Sequence, residues 1–491
     1  MSISDAQFTA WLAADNRERV VLIEVQAYSG GGVVTRYLSN RGFTSWPTDT
    51  PANTAYEEIL IGVPGIRSAM ADALRGRSVV SYGDLDVDNS GGVRDGWLLD
   101  GWDGRPVVIL MGDPSWPKAD FRQVFAGVID DISARDTRTL TLKLRDRQHL
   151  LDVPLQVNRV GGTGPAKDQR LPVCYGQVFN IEPVLVDAAA RKYQWHDGQV
   201  QSVDAVYQDG ATIATYTANL ADGTITLTAA ATGRITLDGK GSKTGGTYVD
   251  KTGDIVSRLV QERAGWSGGD IDAASITALN TDVPGAVGLY ITADATTVLS
   301  ALDTLITGAG GYYSITRAGK LRVGQFKAPA GTPVLTITDD DVQFGRIELV
   351  RRLVPMQSAR VGYARFFTTI DSGAAAGLTE AQRQRLRDPY LVAIATSAPA
   401  GFLMAVDGDL QPSCFVAGAD AGTEATRRAA LWGQLRRVFR LTGFLAAQQV
   451  QLGDVVALEL SRHGLTGGAL ATVVGLRESI TGGSLELEVF L

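Results

Sequence analysis

The sequence predicts a mainly β protein with α+β insertions, in which a β-barrel domain with an adjoining helix stands near each end. Three observations predict it. Short runs of alternating apolar and polar residues, separated by small polar residues, recur along most of the chain. Helical spacing is confined to a few stretches. The stretch 121–147, "FRQVFAGVIDDISARDTRTLTLKLRDR", is nearly repeated by 471–491, "ATVVGLRESITGGSLELEVFL". In the first, Gly127 is followed five residues later by Ile132 and then by Leu140, Leu142 and Leu144. In the second, Gly475 is followed five residues later by Ile480 and then by Leu485, Leu487 and Val489. Two matching hairpins this far apart suggest one architecture used twice.

Residues 5–15 place Phe8, Trp11 and Leu12 at helical spacing. "RVVLIEVQAY", a glycine turn and "VVTRYLSN" then read as a hairpin, and further short strands lead to the hairpin at 121–147. We place a first barrel domain at 1–155, ending before the Gly/Pro-rich stretch "NRVGGTGPAKDQRLP". An inserted β-rich domain at 156–250 has expected turns at "HDG", "QDG", "ADG" and "LDG". In the small α+β domain at 251–329, Thr252 and Asp294 stand where helix N-caps would, and a hairpin turns at Ala318-Gly319. The second barrel domain, 330–491, carries a polar insertion with an expected helix at "TEAQRQRLRD". A longer helix is expected over "GTEATRRAALWGQLRRVF", with Thr423 as N-cap and Leu431, Leu435 and Val438 on one face.

At 491 residues the chain is too long for one ordinary core, and 45% hydrophobic with 20% charged residues describes a folded protein. The 46 basic and 53 acidic residues leave a net charge of −7, which argues against a dedicated phosphate-binding surface. The first residues show neither a basic leader before an apolar run nor a cleavage pattern, and no apolar segment is long enough for a membrane span. The expectation is a protein made and folded in a cytoplasm. Cys174 and Cys414 belong to no C-x-x-C pair and read as small apolar residues.

The most tempting chemical site is "DLDVDNSGGVRD". Asp84, Asp86, Asp88 and Asp95 occupy positions 1, 3, 5 and 12 of a calcium-loop template, but Asn89 replaces its glycine and Asp95 its glutamate. The competing reading is an Asp/Asn/Gly turn between strands. Two glycine-rich runs lack the phosphate-loop spacing. His149, His196 and His463 lie in separate segments with no nucleophile motif, and Asp339–Asp341 reads as a solvated acidic turn. No catalytic set, cofactor site or metal site is expected, and the chain is not expected to be an enzyme.

The run "GDLDVDNSGGVRDG…GWDGRPVVILMGD…VFAGVIDDI…LTLKLRD", the module "RLPVCYGQVFNIEPVLVD…YQWHDGQVQSVDAVYQDG" and "LGDVVAL" before a terminal hairpin resemble the tail-tip or baseplate hub proteins of long-tailed bacteriophages and gene transfer particles. The resemblance implies two tube-like β-barrels per subunit and a homotrimer whose six barrels continue a sixfold tail tube. It implies a virion location after assembly in the bacterial cytoplasm. The implied partners are the tail tube hexamer, the tape measure protein, a central fibre or tip attachment protein, and phage DNA in the channel. Residues 367–412 match nothing in that pattern. Some related proteins hold an iron–sulfur cluster in a cysteine-rich segment, which two isolated cysteines do not provide. The alternative functions are a tail-associated cell-wall hydrolase and a carbohydrate-binding module.

Overall fold

The computed structural model describes residues 3–14, 18–62, 65–71, 74–161, 164, 166–292, 296–397, 399–444, 450–479 and 484–491. Helix α1 (Asp5–Ala13) opens on a capping box between Ser4 and Gln7 and buries Phe8 and Leu12 against the first barrel. That barrel is built from β1 (Val20–Ser29), β2 (Gly32–Ser39), β3 (Ala55–Glu58), β4 (Leu60–Gly62), β7 (Leu85–Asp88), β8 (Pro106–Gly112), β9 (Arg122–Asp136) and β10 (Thr139–Asp146). Gly30 and Gly31, both at positive φ, turn β1 into β2. Neighbours run β2–β1–β8–β9–β10–β7–β4. The segment 55–62 touches both ends of this series, because β3 lies parallel to β2 while β4 pairs with β7. At its centre the Ile59 N–H donates to the Ser39 carbonyl (3.1 Å) and the Ile59 carbonyl accepts the Asp88 N–H (2.7 Å). One bulged strand therefore closes the barrel.

Between β4 and β7 the chain leaves this barrel. β5 (Ile66–Ala69) and β6 (Val79–Tyr82) form an antiparallel ribbon that is described with its destination below. The middle of the chain holds a five-stranded and a four-stranded sheet around Trp195, Val206 and Leu237, followed by helices α2 (Thr252–Ala264), α3 (Ala273–Asp282) and α4 (Val298–Gly308). The helices pack on the hairpin of strands Gly311–Ile315 and Leu321–Gln325, which turns at Gly319 with φ +75°. Thr252 is the first residue of α2, with Lys251 at the cap position, and α4 is capped by Thr297; Asp294 lies outside the described residues. The expected turn at "LDG" is instead the middle of strand Ile235–Ser242. Gly239 is needed there because a side chain would stand 2.8 Å from the Ser202 carbonyl and 3.0 Å from the Trp195 ring.

The second barrel contains β11 (Leu335–Thr338), β12 (Val342–Leu353), β13 (Arg436–Phe444), β14 (Val455–Glu459), β15 (Ala469–Glu478) and β16 (Ser484–Phe490). Neighbours run β11–β14–β15–β16–β13–β12. The segment 335–353 repeats the closing device, with β11 parallel to β14 and β12 antiparallel to β13. Helix α5 (Glu380–Arg387) stands in the polar insertion with a Thr379–Gln382 capping box. Helix α6 (Gly418–Trp432) begins five residues before Thr423 and stops at Gly433. The expectation that helix continued to Phe439 fails, because "RRVFRLTGF" forms β13 between β12 and β16, burying Val438, Phe439 and Leu441. Alternation over this stretch suits a strand as well as its spacing suits a helix, and the two barrel neighbours decide.

The two barrels match strand for strand. In chain order β4, β7, β8, β9 and β10 correspond to β12, β13, β14, β15 and β16, and each set has the same spatial order with every neighbour antiparallel. Register agrees too. In the first hairpin Ile129 faces Leu144 and Asp131 faces Lys143, leaving Asp130 as an extra residue; in the second Val473 faces Val489 and Gly475 faces Glu488, leaving Val474. Both strands carry a β-bulge at the same point. Leu142 opposite Ile132 then matches Leu487 opposite Leu476, and Leu140 matches Leu485, both of them core residues. Val107 opposite Gly127 matches Val456 opposite Ala471.

This register differs from the alignment that puts Gly127 on Gly475. Counted from the bulge, the counterpart of Gly127 is Ala471 and that of Gly475 is Asp131; Ile480 lies outside the described residues. The two glycines serve different packing needs. A Cβ on Gly127 would stand 2.2 Å from the Phe125 ring and 2.6 Å from the Arg145 carbonyl, whereas one on Gly475 would meet nothing closer than 3.1 Å, at Glu488. Gly127→Ala is therefore expected to cost about 1–3 kcal/mol by overpacking, and Gly475→Ala less than about 1 kcal/mol. Paired urea-unfolding curves check this; equal losses would count against the register.

Candidate functional site: the junction between the barrels

Among the described residues the four aspartates of the calcium-loop candidate do not converge on one point. Asp84 precedes β7, and Asp86 and Asp88 sit within it, so alternation spreads their carboxylates along a strand instead of wrapping them around a point. Asp86 accepts hydrogen bonds from Thr141 (2.7 Å) and Arg135 (2.8 Å), Asp88 from the Ser90 N–H (3.0 Å) and hydroxyl (2.6 Å), and Asp95 from the Asn89 amide (2.7 Å). Among the described residues no group of three or more metal-ligand side chains converges. Asp341 caps the turn after β11 and Asp339 accepts the Ser461 N–H. His196 is buried and accepts the Cys174 N–H at Nδ1 (3.0 Å), and burial holds its pKa down to about 3. Cys174 and Cys414 are both free and buried. Among the described residues no helix is long and apolar enough to cross a membrane.

What the structure does concentrate is a junction. The ribbon β5–β6 crosses from the first barrel to the second, where β5 pairs with the far half of β15: Ala69 faces Gly475, Ser68 Leu476, Arg67 Arg477 and Ile66 Glu478. The Met70 N–H extends the ladder to the Val474 carbonyl (2.8 Å), and Met70 and Leu74 enter the core of the second barrel. Between β5 and β6, Gly76 and Arg77 lie parallel to the middle-domain strand at Tyr312 and Tyr313. A single excursion thus joins three bodies.

Arg317, in the middle-domain hairpin turn, holds the same junction through its side chain and backbone. Its guanidinium pairs with Glu478 of β15, which is 1% exposed, and donates to the Val450 carbonyl (3.0 Å). Its carbonyl accepts the Gln123 amide of β9 (2.7 Å). Burial brings the Arg317 pKa down to about 10, so the group stays charged at neutral pH. At the other end of the excursion Gln148 donates to the Ser78 carbonyl (3.2 Å) and to Asp146 (2.6 Å). Burial raises the Asp146 carboxyl to about 6 against the hydrogen bonds from Gln148. A second buried cluster fixes α6 to the end of α4. Glu424 accepts from Arg427 and Arg428, while Arg428 donates to the Gly308 carbonyl (2.9 Å) and Arg427 to the Phe326 carbonyl (2.5 Å).

The sequence reading missed the ribbon and the Arg317–Glu478 pair. Glu478 reads there as one polar position of an alternating hairpin, and nothing local marks it as buried. The repeated hairpin was visible because both copies face the same kind of core.

No family model and no curated protein sequence matches this chain. Solved structures similar to it include tail proteins. The tail protein from Neisseria meningitidis MC58 is 13% identical, with 96% of each chain covered and a TM-score of 0.41. The 43 kDa tail protein of prophage MuSo2 from Shewanella oneidensis is 11% identical over 96% of this chain and 98% of its own, also with a TM-score of 0.41. A chain of the native gene transfer agent virion is 13% identical over 70% of this chain and 91% of its own, with a TM-score of 0.38.

Glu478→Ala leaves Arg317 partly buried without its counter-charge, and a loss of about 2–4 kcal/mol is expected in chemical unfolding. A loss below about 0.5 kcal/mol would show that the pair does not hold the junction. Asp146 gives a pH signature. Its folded pKa of about 6 lies above the value near 4 of an unfolded aspartate, so the folded state binds the proton more tightly. That contribution is complete below about pH 4 and is lost as pH rises through 6. Asp146→Asn removes the loss, so the variant should gain up to about 2 kcal/mol on the wild type between pH 4 and 6.5. Parallel unfolding curves across that range are the check.

Proposed function

We propose that this chain is a structural protein of a phage-type tail, the hub of a tail tip or baseplate, which works as a homotrimer. The observation that carries the reading is the duplicated barrel, alike in strand order, closure and bulge register. A threefold assembly with two such barrels per subunit presents six equivalent ends, which is what a threefold protein needs to continue a sixfold tube. The sequence resemblance to tail-tip hubs points the same way. On this reading the ring connects the tail tube to a distal fibre or receptor-binding apparatus, and DNA leaves through its channel. The hub supplies no hydrolytic chemistry of its own.

A channel for DNA works best with a neutral or acidic lining, since Lys and Arg would hold phosphates back. The arginines of β13 are engaged elsewhere: Arg440 with Glu348, Glu486 and Glu488, Arg437 with the His463 carbonyl, and Arg436 with the Leu431 carbonyl. Arg436→Glu with Arg437→Glu should therefore impair assembly more than DNA passage; normal particles defective only in DNA delivery would count against it. For the oligomer itself, light scattering of the purified protein should give three times the chain's 52.1 kDa. A monomer at every concentration would remove the reason for two barrels.

A further inference from the structure

The contact between the barrels within one chain is a template for a second contact that one chain cannot make. The ribbon β5–β6 prolongs the pair β4–β7 outward, since β6 ends at Tyr82 and β7 begins at Leu85. In the second barrel the corresponding prolongation is unbroken: the last part of β12 paired with the first part of β13. The first ribbon lays its β5 edge on residues Gly475–Glu478 of β15. Bulge-to-bulge counting makes Asp131–Ala134 of β9 the counterpart of that segment. On the side away from β10, β9 pairs with β8 only through Val128, and among the described residues no ladder continues over Asp131–Ala134. Likewise β12 ends its sheet, with β13 as its one ladder partner among the described residues.

Both free edges look like halves of one junction. Gly475, Leu476 and Glu478 are buried beneath β5, while their counterparts Asp131, Ile132 and Ala134 are exposed or half-buried. At the other edge Leu349 is 44% and Val354 59% exposed, and Leu353 and Val354 border an open cleft of about 560 Å³. Charges are complementary. β12 carries Arg346 and Arg352, exposed and without an ion-pair partner among the described residues, while on β9 Asp130 pairs with Arg145 (2.9 Å) and the exposed Asp131 stands 3.8 Å from Lys143, open to a second cation.

We infer that the C-terminal part of β12 adds as an antiparallel strand to Asp131–Ala134 of β9 in a second copy of this chain, resting on the trimeric reading above. Transferring the β5–β15 register sets Ser133 opposite Arg352, Ile132 opposite Leu353 and Asp131 opposite Val354. Ile132 and Leu353 then cover each other on the core side, and Arg352 reaches Asp131 diagonally on the outer side. Strand addition of this kind satisfies edge hydrogen bonds that a lone chain exposes. Because donor and acceptor edges differ, the contact is head-to-tail, and it closes into a ring when three chains alternate their two barrels.

The test is disulfide trapping in the full chain with two pairs, Ser133→Cys with Arg352→Cys, and Asp131→Cys with Val354→Cys. Opposed residues of an antiparallel pair lie about 4.5–5.5 Å apart at Cα, within disulfide reach. Ser133→Cys with Glu348→Cys is the out-of-register control. Oxidation should give a non-reducing gel ladder ending at the trimer for at least one matched pair and not for the control. A trimer by light scattering that neither pair cross-links overturns the edge assignment while leaving the hub reading intact. A ladder running past three overturns ring closure, and a protein monomeric at all concentrations overturns the hub reading and this inference with it.

Discussion

The ladder between β5 and β15 is the contact on which the rest of the arrangement depends. A closed barrel has no edge to offer, yet β15 is longer than its neighbour β14 and leaves its far half unpaired. A strand from the first barrel fills that half, and burying Glu478 there demands a cation, which the middle domain supplies as Arg317. Backbone pairing sets the position of the barrels, and the ion pair ties the middle domain to the same point. Removing either element would leave exposed ladder groups or a buried lone charge.

The duplication extends to the backbone geometry of the two barrels. Five strands recur in one order, with the same closing segment and the same bulge, although few side chains are shared. The bulge matters because it shifts the faces of β9 and β15 by one residue, so that Ile132 and Leu476 beyond it turn to the core side while the edge of each far half runs past its neighbour β8 or β14. Among the described residues of one chain, the far half of β15 has a ladder partner on that side and the far half of β9 has none.

The insertions were partly legible. The spacing of Phe8, Trp11 and Leu12 announced α1, a helix was expected where α5 forms, and the Ala318-Gly319 turn was legible because its φ requires glycine. The α6 boundary was not, since "RRVFRLTGF" satisfies helical spacing and alternation alike, and only its two strand neighbours choose between them. The "LDG" reading failed for a related reason: Gly239 is a glycine of close approach to Trp195, which local sequence does not distinguish from a turn glycine.

The sequence by itself determined the class of the fold, because alternation of apolar residues writes the core-facing side of each strand into the chain. It also disclosed the repeated hairpin, because Leu140, Leu142, Leu485 and Leu487 all fill barrel cores. Tertiary structure decided the correspondence between the copies. Which glycine matches which residue depends on where the extra residue of each bulge falls, and that is a property of two paired strands. It likewise decided that Ile66–Ala69 joins the second barrel, since a four-residue strand carries no mark of the partner hundreds of residues away that will receive its hydrogen bonds.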